Sequence, residues 1–245
     1  MEIITNALII ASRKVVKFLR RDFFELEMLQ RSNKGNYDFC QKSYVKIQGL
    51  LSTELQRYSK HIFFPNDKFI LNALDSEDMI LMINPIDSFN NLERSLPFFA
   101  LSITCLKKIN KVFTAICTVI NFPALDQIYY AEKGRGVKSE NSNINLSRLR
   151  VSSRSNISTS LIAVDNINTE LKFFKDTMIF GSHCYSILML IAGKVDAVYF
   201  SSLDYTLKPG FELLVLEAGG TIIDNDKTFI ATNCELAKEF KCKII

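Results

Sequence analysis

A chain of 245 residues, 48% of them apolar, can fill one large α/β domain or two small ones around a substantial core. A formal net charge of +4 with 23% charged residues lacks the clustered base that usually marks nucleic-acid binding, so direct nucleic-acid contact is not expected. The six cysteines are scattered with no C-x-x-C spacing, which predicts buried free thiols in a reducing cytoplasm.

The chain opens on a helix predicted over Ile3 to Met28, because Ile4, Leu8, Ala11, Val15, Phe18 and Leu19 recur at three- and four-residue steps. Lys14, Lys17, Arg20 and Arg21 fall on its other face, read as solvated. The apolar run Ala7 to Ile10 is far too short to span a bilayer, and no small-residue cleavage site follows it, so neither a membrane span nor a signal peptide is expected. A polar turn around Lys34 and Gly35 leads to a second helix, Phe39 to Ser59. His61 to Phe64 and Met79 to Ile83 read as strands. Phe98 to Leu106, Val112 to Asn121 and Gln127 to Ala131 do so too, with a hairpin at Asn110.

Lys138 to Ser158 is polar and carries Arg148, Arg150 and Arg154. Without interleaved aromatic residues to stack bases, it is read as a solvated connection rather than an RNA patch. Ser160 to Asp165 is a further strand. Gly181-Ser182 opens a helix that Gly193 closes, and Asp196 to Phe200 is a strand. Phe211 to Ala218 is a helix stopped by Gly219-Gly220, followed by a hairpin around residues 225–227 and a last helix from Glu235. No repeat or linker divides the chain, so one domain over residues 1–245 is expected.

The stretch from Ile83 to Ile103 is the most informative. An apolar strand meets Asn84-Pro85-Ile86-Asp87-Ser88-Phe89-Asn90, a polar turn carrying one carboxylate. Asp87 could bind a hard cation with help from the amide oxygen of Asn84, and backbone N–H groups of Ser88, Phe89 and Asn90 could receive a phosphate. The plainer alternative is that Asp87 caps the helix starting there. His61 and His183 are the only histidines, and His183 is read as a surface or capping residue.

Asn84-Pro85-Ile86-Asp87 followed by Leu96-Pro97-Phe98-Phe99-Ala100-Leu101-Ser102-Ile103, and Glu217-Ala218-Gly219-Gly220 ending a helix, resemble the two signatures of the inositol monophosphatase family. The match is strongest to its bacterial SuhB-type extragenic suppressor branch and covers nearly the whole chain. The resemblance implies a layered α/β/α/β/α sandwich, a Mg²⁺-dependent phosphatase ancestry, a homodimer, a cytoplasmic location and a partner in the transcription machinery.

It also implies a degenerate metal site. Asn84 stands at the family's first aspartate ligand, while Asp87 keeps the second. Phe89 replaces the threonine that holds the attacking water. The glutamate ligand falls at Asn66 beside Asp67, and the last aspartate ligand at Leu207, with Asp204 three residues earlier. Two readings follow. One is a binding or regulatory protein without working Mg²⁺ chemistry. The other is a Mg²⁺-dependent sugar-phosphate phosphatase that uses Asp87, Asp67 and Asp204 in a rearranged site, with Lys34 nearby.

Overall fold

The computed structural model describes residues 2–29, 36–67, 79–141, 147–167, 171–172, 174–224 and 228–244; Lys34 and the 225–227 hairpin tip lie outside the described residues. Helices α1 (Glu2–Leu29) and α2 (Asn36–Leu55) pack side by side. The stripe Leu8, Ala11, Val15 and Leu19 is buried, as its spacing predicts, whereas Phe18 is exposed beneath the ammonium of Lys46. Asp22 of α1, 2% exposed, accepts a hydrogen bond from Ser43 Oγ of α2 at 2.8 Å, which satisfies a carboxylate inside the helix pair.

Strands β1 (His61–Phe63), β2 (Met79–Asn84), β3 (Leu101–Ile109), β4 (Val112–Phe122), β5 (Gln127–Glu132), β6 (Val137–Asn141) and β7 (Ser147–Leu149) form one sheet in chain order. Only the β1–β2 pair is parallel. The β3–β4 hairpin turns at Asn110 and Lys111, whose φ angles of 51° and 68° fit the twist of a two-residue hairpin. The polar stretch read as a solvated connection in fact supplies β6 and β7. β7 forms the edge of the sheet, where polar side chains keep an open ladder from pairing with another chain, and β6 pairs it to β5.

A second sheet has the order β11-β12-β10-β8-β9. Its strands are β8 (Leu161–Val164), β9 (Asp176–Met178), β10 (Ala197–Phe200), β11 (Thr221–Asp224) and β12 (Phe229–Thr232). Helices α4 (His183–Ile191) and α5 (Lys208–Glu217) lie between the two sheets, and α6 (Cys234–Ile244) covers the far face of the second. A five-residue helix, α3 (Phe89–Glu93), follows the turn after β2. Among the described residues, apolar clusters lie under α1 and α2, around α4 and α5, and under α6, with a small one of Ile80, Met82 and Leu106 on the first sheet. The expected five-layer α/β/α/β/α order is present among the described residues.

Arg154 is exposed, as expected of a solvated connection, and also pairs with the buried Asp196 at 3.2 Å, which accepts from Ser152 Oγ and from the Leu161 N–H too. Of the cysteines, Cys40, Cys105, Cys117 and Cys184 are buried free thiols as expected, but Cys234 is exposed. No helix among the described residues is long and apolar enough to cross a membrane. At Gly210, α5 comes so close to the first sheet that a Cβ would overlap Thr104 Oγ1 and lie 2.8 Å from Thr118 Oγ1.

Candidate functional site

Strand β2 ends at Asn84, and the chain turns through Pro85 and Ile86 to Asp87. The turn is pinned to the chain ahead of β3: Asp87 N donates to Ala100 O at 3.0 Å, and Ala100 N donates back to Asp87 Oδ1 at 2.7 Å. Asp87 Oδ2 accepts from Ser182 Oγ at 2.5 Å and from Cys184 N at 2.9 Å. Asp87 is therefore a capping residue, but the helix it caps is α4, some 95 positions away in sequence. The nearby α3 is capped by Ser88, whose Oγ accepts from Asn91 N. Burial raises the pKa of Asp87; the Ser182 hydroxyl, then the N–H groups of Cys184 and Ala100, oppose that rise. The same burial, with Asp87 adjacent, pushes the Cys184 thiol well up, so it is not an activated nucleophile.

A cleft of about 560 Å³ opens beside this turn. Gln41, Tyr44 and Gln48 of α2 form one wall, and Asn66, Asn84, Asp87, Phe89, His183, Asp204 and Leu207 complete it. The structure thus brings together most of the residues marked in the sequence. Asp67 is not among those lining the cleft. Its Oδ2 accepts from Phe64 N at 2.7 Å and closes a turn that Asn66 rounds at φ 73°. The hydroxyl of Tyr205 reinforces that turn, donating to Phe64 O at 2.6 Å.

Asp204 does reach the cleft. Its Oδ1 accepts from Thr206 N at 2.8 Å and from Thr206 Oγ1, which sets the turn into α5. Its Oδ2 accepts no hydrogen bond from the described residues. Leu207, 1% exposed, belongs to the core around α4 and α5. Asn84 is 6% exposed, and its Oδ1 has no partner among the described residues. Burial first, then the negative fields of Asp204 and Asp67, push the Tyr44 phenol up to about 12; burial, Asp67 and Asp204 do the same to Tyr205.

His183 is more than the surface cap the sequence suggested. It lines the cleft, stands edge-on to Phe200 with centroids 4.6 Å apart, and holds Nε2 3.8 Å from Asp165 Oδ2. Burial raises Asp165, but His183 and the N–H groups of Ser201 and Ser202 outweigh it and bring the carboxyl to about 2. Asp165 stands one residue beyond β8, and nothing near it in sequence announces its partner 18 residues on.

At the retained second signature, Glu217 Oε1 accepts from Gly134 N at 2.6 Å and Oε2 from Gly136 N at 2.7 Å. Both glycines have positive φ, which lets the turn present two N–H groups to one carboxylate.

A model of the inositol monophosphatase family matches residues 1–241. The chain is 26% identical over 240 residues to an inositol-1-monophosphatase of Mesorhizobium japonicum, covering 90% of this chain and 85% of that protein. It is 25% identical over 234 residues to the Nus factor SuhB of Escherichia coli K12, covering 89% and 84%. Among solved structures, the extragenic suppressor protein suhB of Bartonella henselae superposes with a TM-score of 0.78 at 20% identity, covering 98% of this chain and 97% of that one. The inositol monophosphatase of Anabaena superposes at 0.79 with 17% identity, covering 99% and 95%. With the family model matching residues 1–241 and the five-layer sandwich in agreement, this chain belongs to the inositol monophosphatase family.

Proposed function

We propose that this chain uses the inositol monophosphatase fold for binding or regulation, with Mg²⁺-dependent phosphatase chemistry impaired or absent. One observation carries the reading. Of the carboxylates lining the cleft, Asp87 and Asp204, only Asp204 presents an oxygen that no described group engages. Mg²⁺ needs near-octahedral oxygen ligation and is held by carboxylates together with substrate phosphate. Asn84 and Asn66 supply neutral amides, Leu207 supplies no oxygen, and Asp67 is committed to its turn. Among the described residues no group of three His, Cys, Asp or Glu side chains is arranged to hold a metal ion. The residues present do not fit the family's metal.

The relatives named Nus factor support a protein partner in the transcription machinery. The same resemblance supports a single cytoplasmic domain acting as a homodimer, which light scattering on the purified chain tests. The phosphatase reading keeps one specific support: Asp87 and Asp204 still face one cleft. The deciding experiment is phosphate release from inositol 1-phosphate at millimolar Mg²⁺. The expected result is no turnover above the metal-free control. Turnover that Asp87→Ala abolishes would establish a working phosphatase instead.

A further inference from the structure

Strands β3 and β4 carry one cysteine each, and the register of their hairpin decides whether the thiols meet. Counted from the closing pair Ile109 and Val112, Lys108 faces Phe113, Lys107 faces Thr114 and Leu106 faces Ala115. Continued unbroken, that count would set Cys105 opposite Ile116 and turn Cys117 to the other face of the sheet. A bulge between Cys105 and Leu106 shifts the register by one residue, and Cys105 faces Cys117 instead. Directly opposed residues of an antiparallel pair hold their Cα atoms about 4.5–5.5 Å apart, inside the range of about 4.4–6.8 Å that a disulfide spans. Both thiols are free, buried and part of the core under α1. Helix α1 runs along β4 above them: Asn121 Nδ2 donates to Ser12 Oγ at 3.3 Å, and Thr5, earlier on α1, hydrogen-bonds the Cys117 sulfur. The neighbouring Cys105 thiol lowers the pKa of Cys117; burial opposes that fall and the Thr5 hydroxyl adds to it. Cys117, and then burial, raise Cys105, which keeps its proton. The pair thus lies beneath the first turns of α1, where Ile3 is 85% exposed, and fraying of that helix end admits a small oxidant.

From this placement we infer that Cys105 and Cys117 form a reversible redox pair, which a hydroperoxide such as hydrogen peroxide closes to a cross-strand disulfide and a thiol reductant reopens. The Cys117 thiolate attacks one peroxide oxygen: an S–O bond forms, the O–O bond breaks and hydroxide leaves. The Cys105 sulfur then attacks the Cys117 sulfenic acid, forming the S–S bond and expelling the second hydroxide. The two thiols give up two electrons and two protons, and the peroxide is reduced to two waters. In a reducing compartment the pair stays open, so its closure is transient and follows the oxidant. Neither sulfur lines the cleft, which makes the pair independent of any metal chemistry there.

The test exposes the folded full chain to hydrogen peroxide, alkylates the remaining thiols with N-ethylmaleimide in denaturant, and maps the peptides by mass spectrometry. The expected product is a cross-link between Cys105 and Cys117 that dithiothreitol removes, formed while the circular dichroism spectrum stays that of the folded chain. Cys234→Ser takes away the exposed thiol and should leave the cross-link in place. Cys105→Ser should abolish it and leave Cys117 as a sulfenic acid that dimedone labels. The map of the unsubstituted chain decides the matter even where Cys105→Ser does not fold. Full alkylation of both cysteines after peroxide, a cross-link from either one to a different cysteine, or a cross-link that forms only in urea overturns the inference. So does its loss in Cys234→Ser, which would make the exposed thiol the one that meets the oxidant.

Discussion

Glu217 and Asp87 both come from family signatures, and both have their two oxygens engaged. Glu217 holds a glycine turn through two backbone N–H groups. Asp87 holds the start of α4 and the chain before β3 through three donors. Around Glu217 the signature is intact, and its neighbours Gly219 and Gly220 remain. Around Asp87 the cleft is lined by Asn84, Phe89 and, just ahead of α5, Leu207, which on the proposed reading stand where the family keeps polar groups. On the proposed reading, what is kept is what the fold needs for its own hydrogen bonds, and what differs from the family is what would face a ligand. Asp87 is retained on the structural side of that division.

The largest effect should come from Leu207→Asp, which on the proposed reading puts a carboxylate where the family has one, here inside an apolar core. An uncompensated buried charge costs ~3–5 kcal/mol, read as a lower urea midpoint in EDTA. Full recovery with millimolar Mg²⁺ would break the comparison, because the cleft would then still assemble a metal site. Next, Glu217→Ala leaves the Gly134 and Gly136 N–H groups without their acceptor. The expected loss is about 2–3 kcal/mol by denaturant titration, with the second sheet's far face unaffected in hydrogen exchange.

Asp87→Asn tests whether that carboxylate is structural. An amide offers one acceptor where three donors converge, so stability should fall by about 1–3 kcal/mol with or without Mg²⁺. A loss seen only with Mg²⁺ present would move Asp87 to the ligand side.

Asp165 sharpens the picture through pH. Its folded pKa of about 2 lies below the ordinary carboxylate value. Its contribution is therefore complete above the unfolded pKa and is lost as pH falls from about 4 toward 2. With part of the group open to solvent, that contribution is about 1–2 kcal/mol, and Asp165→Asn should flatten the stability curve over that window. The smallest effect belongs to Glu54→Gln. It breaks the exposed Lys14 pair and should change stability by less than about 0.5 kcal/mol.

The regular parts of the fold were legible because each carried its own period. The α1 stripe, the hairpin at Asn110 and the Gly181-Ser182 opening of α4 are local signals, and all three appear where the sequence placed them. The edge strand β7 and its neighbour β6 carried no such signal. A strand open to water along its edge has polar residues throughout and reads as a loop. Within the site, the residues of the turn after β2 were found, but their duties were not. The Asp87 bond to Ser182 and the His183 approach to Asp165 join residues far apart in the chain, and spacing is silent on such pairs. Asp67 looked like a spare ligand because its turn partner is a backbone N–H, which every residue but proline possesses.

The tight seat of Gly210 has one more implication. Bringing Asp204 to the place that Leu207 occupies would require the chain to advance by three residues. Helix α5 cannot slide along the sheet to allow it, because any other residue of the helix brought to that point would drive a Cβ into Thr104 and Thr118. The glycine acts as a key in a slot, indexing the helix to a single register and leaving leucine facing the cleft.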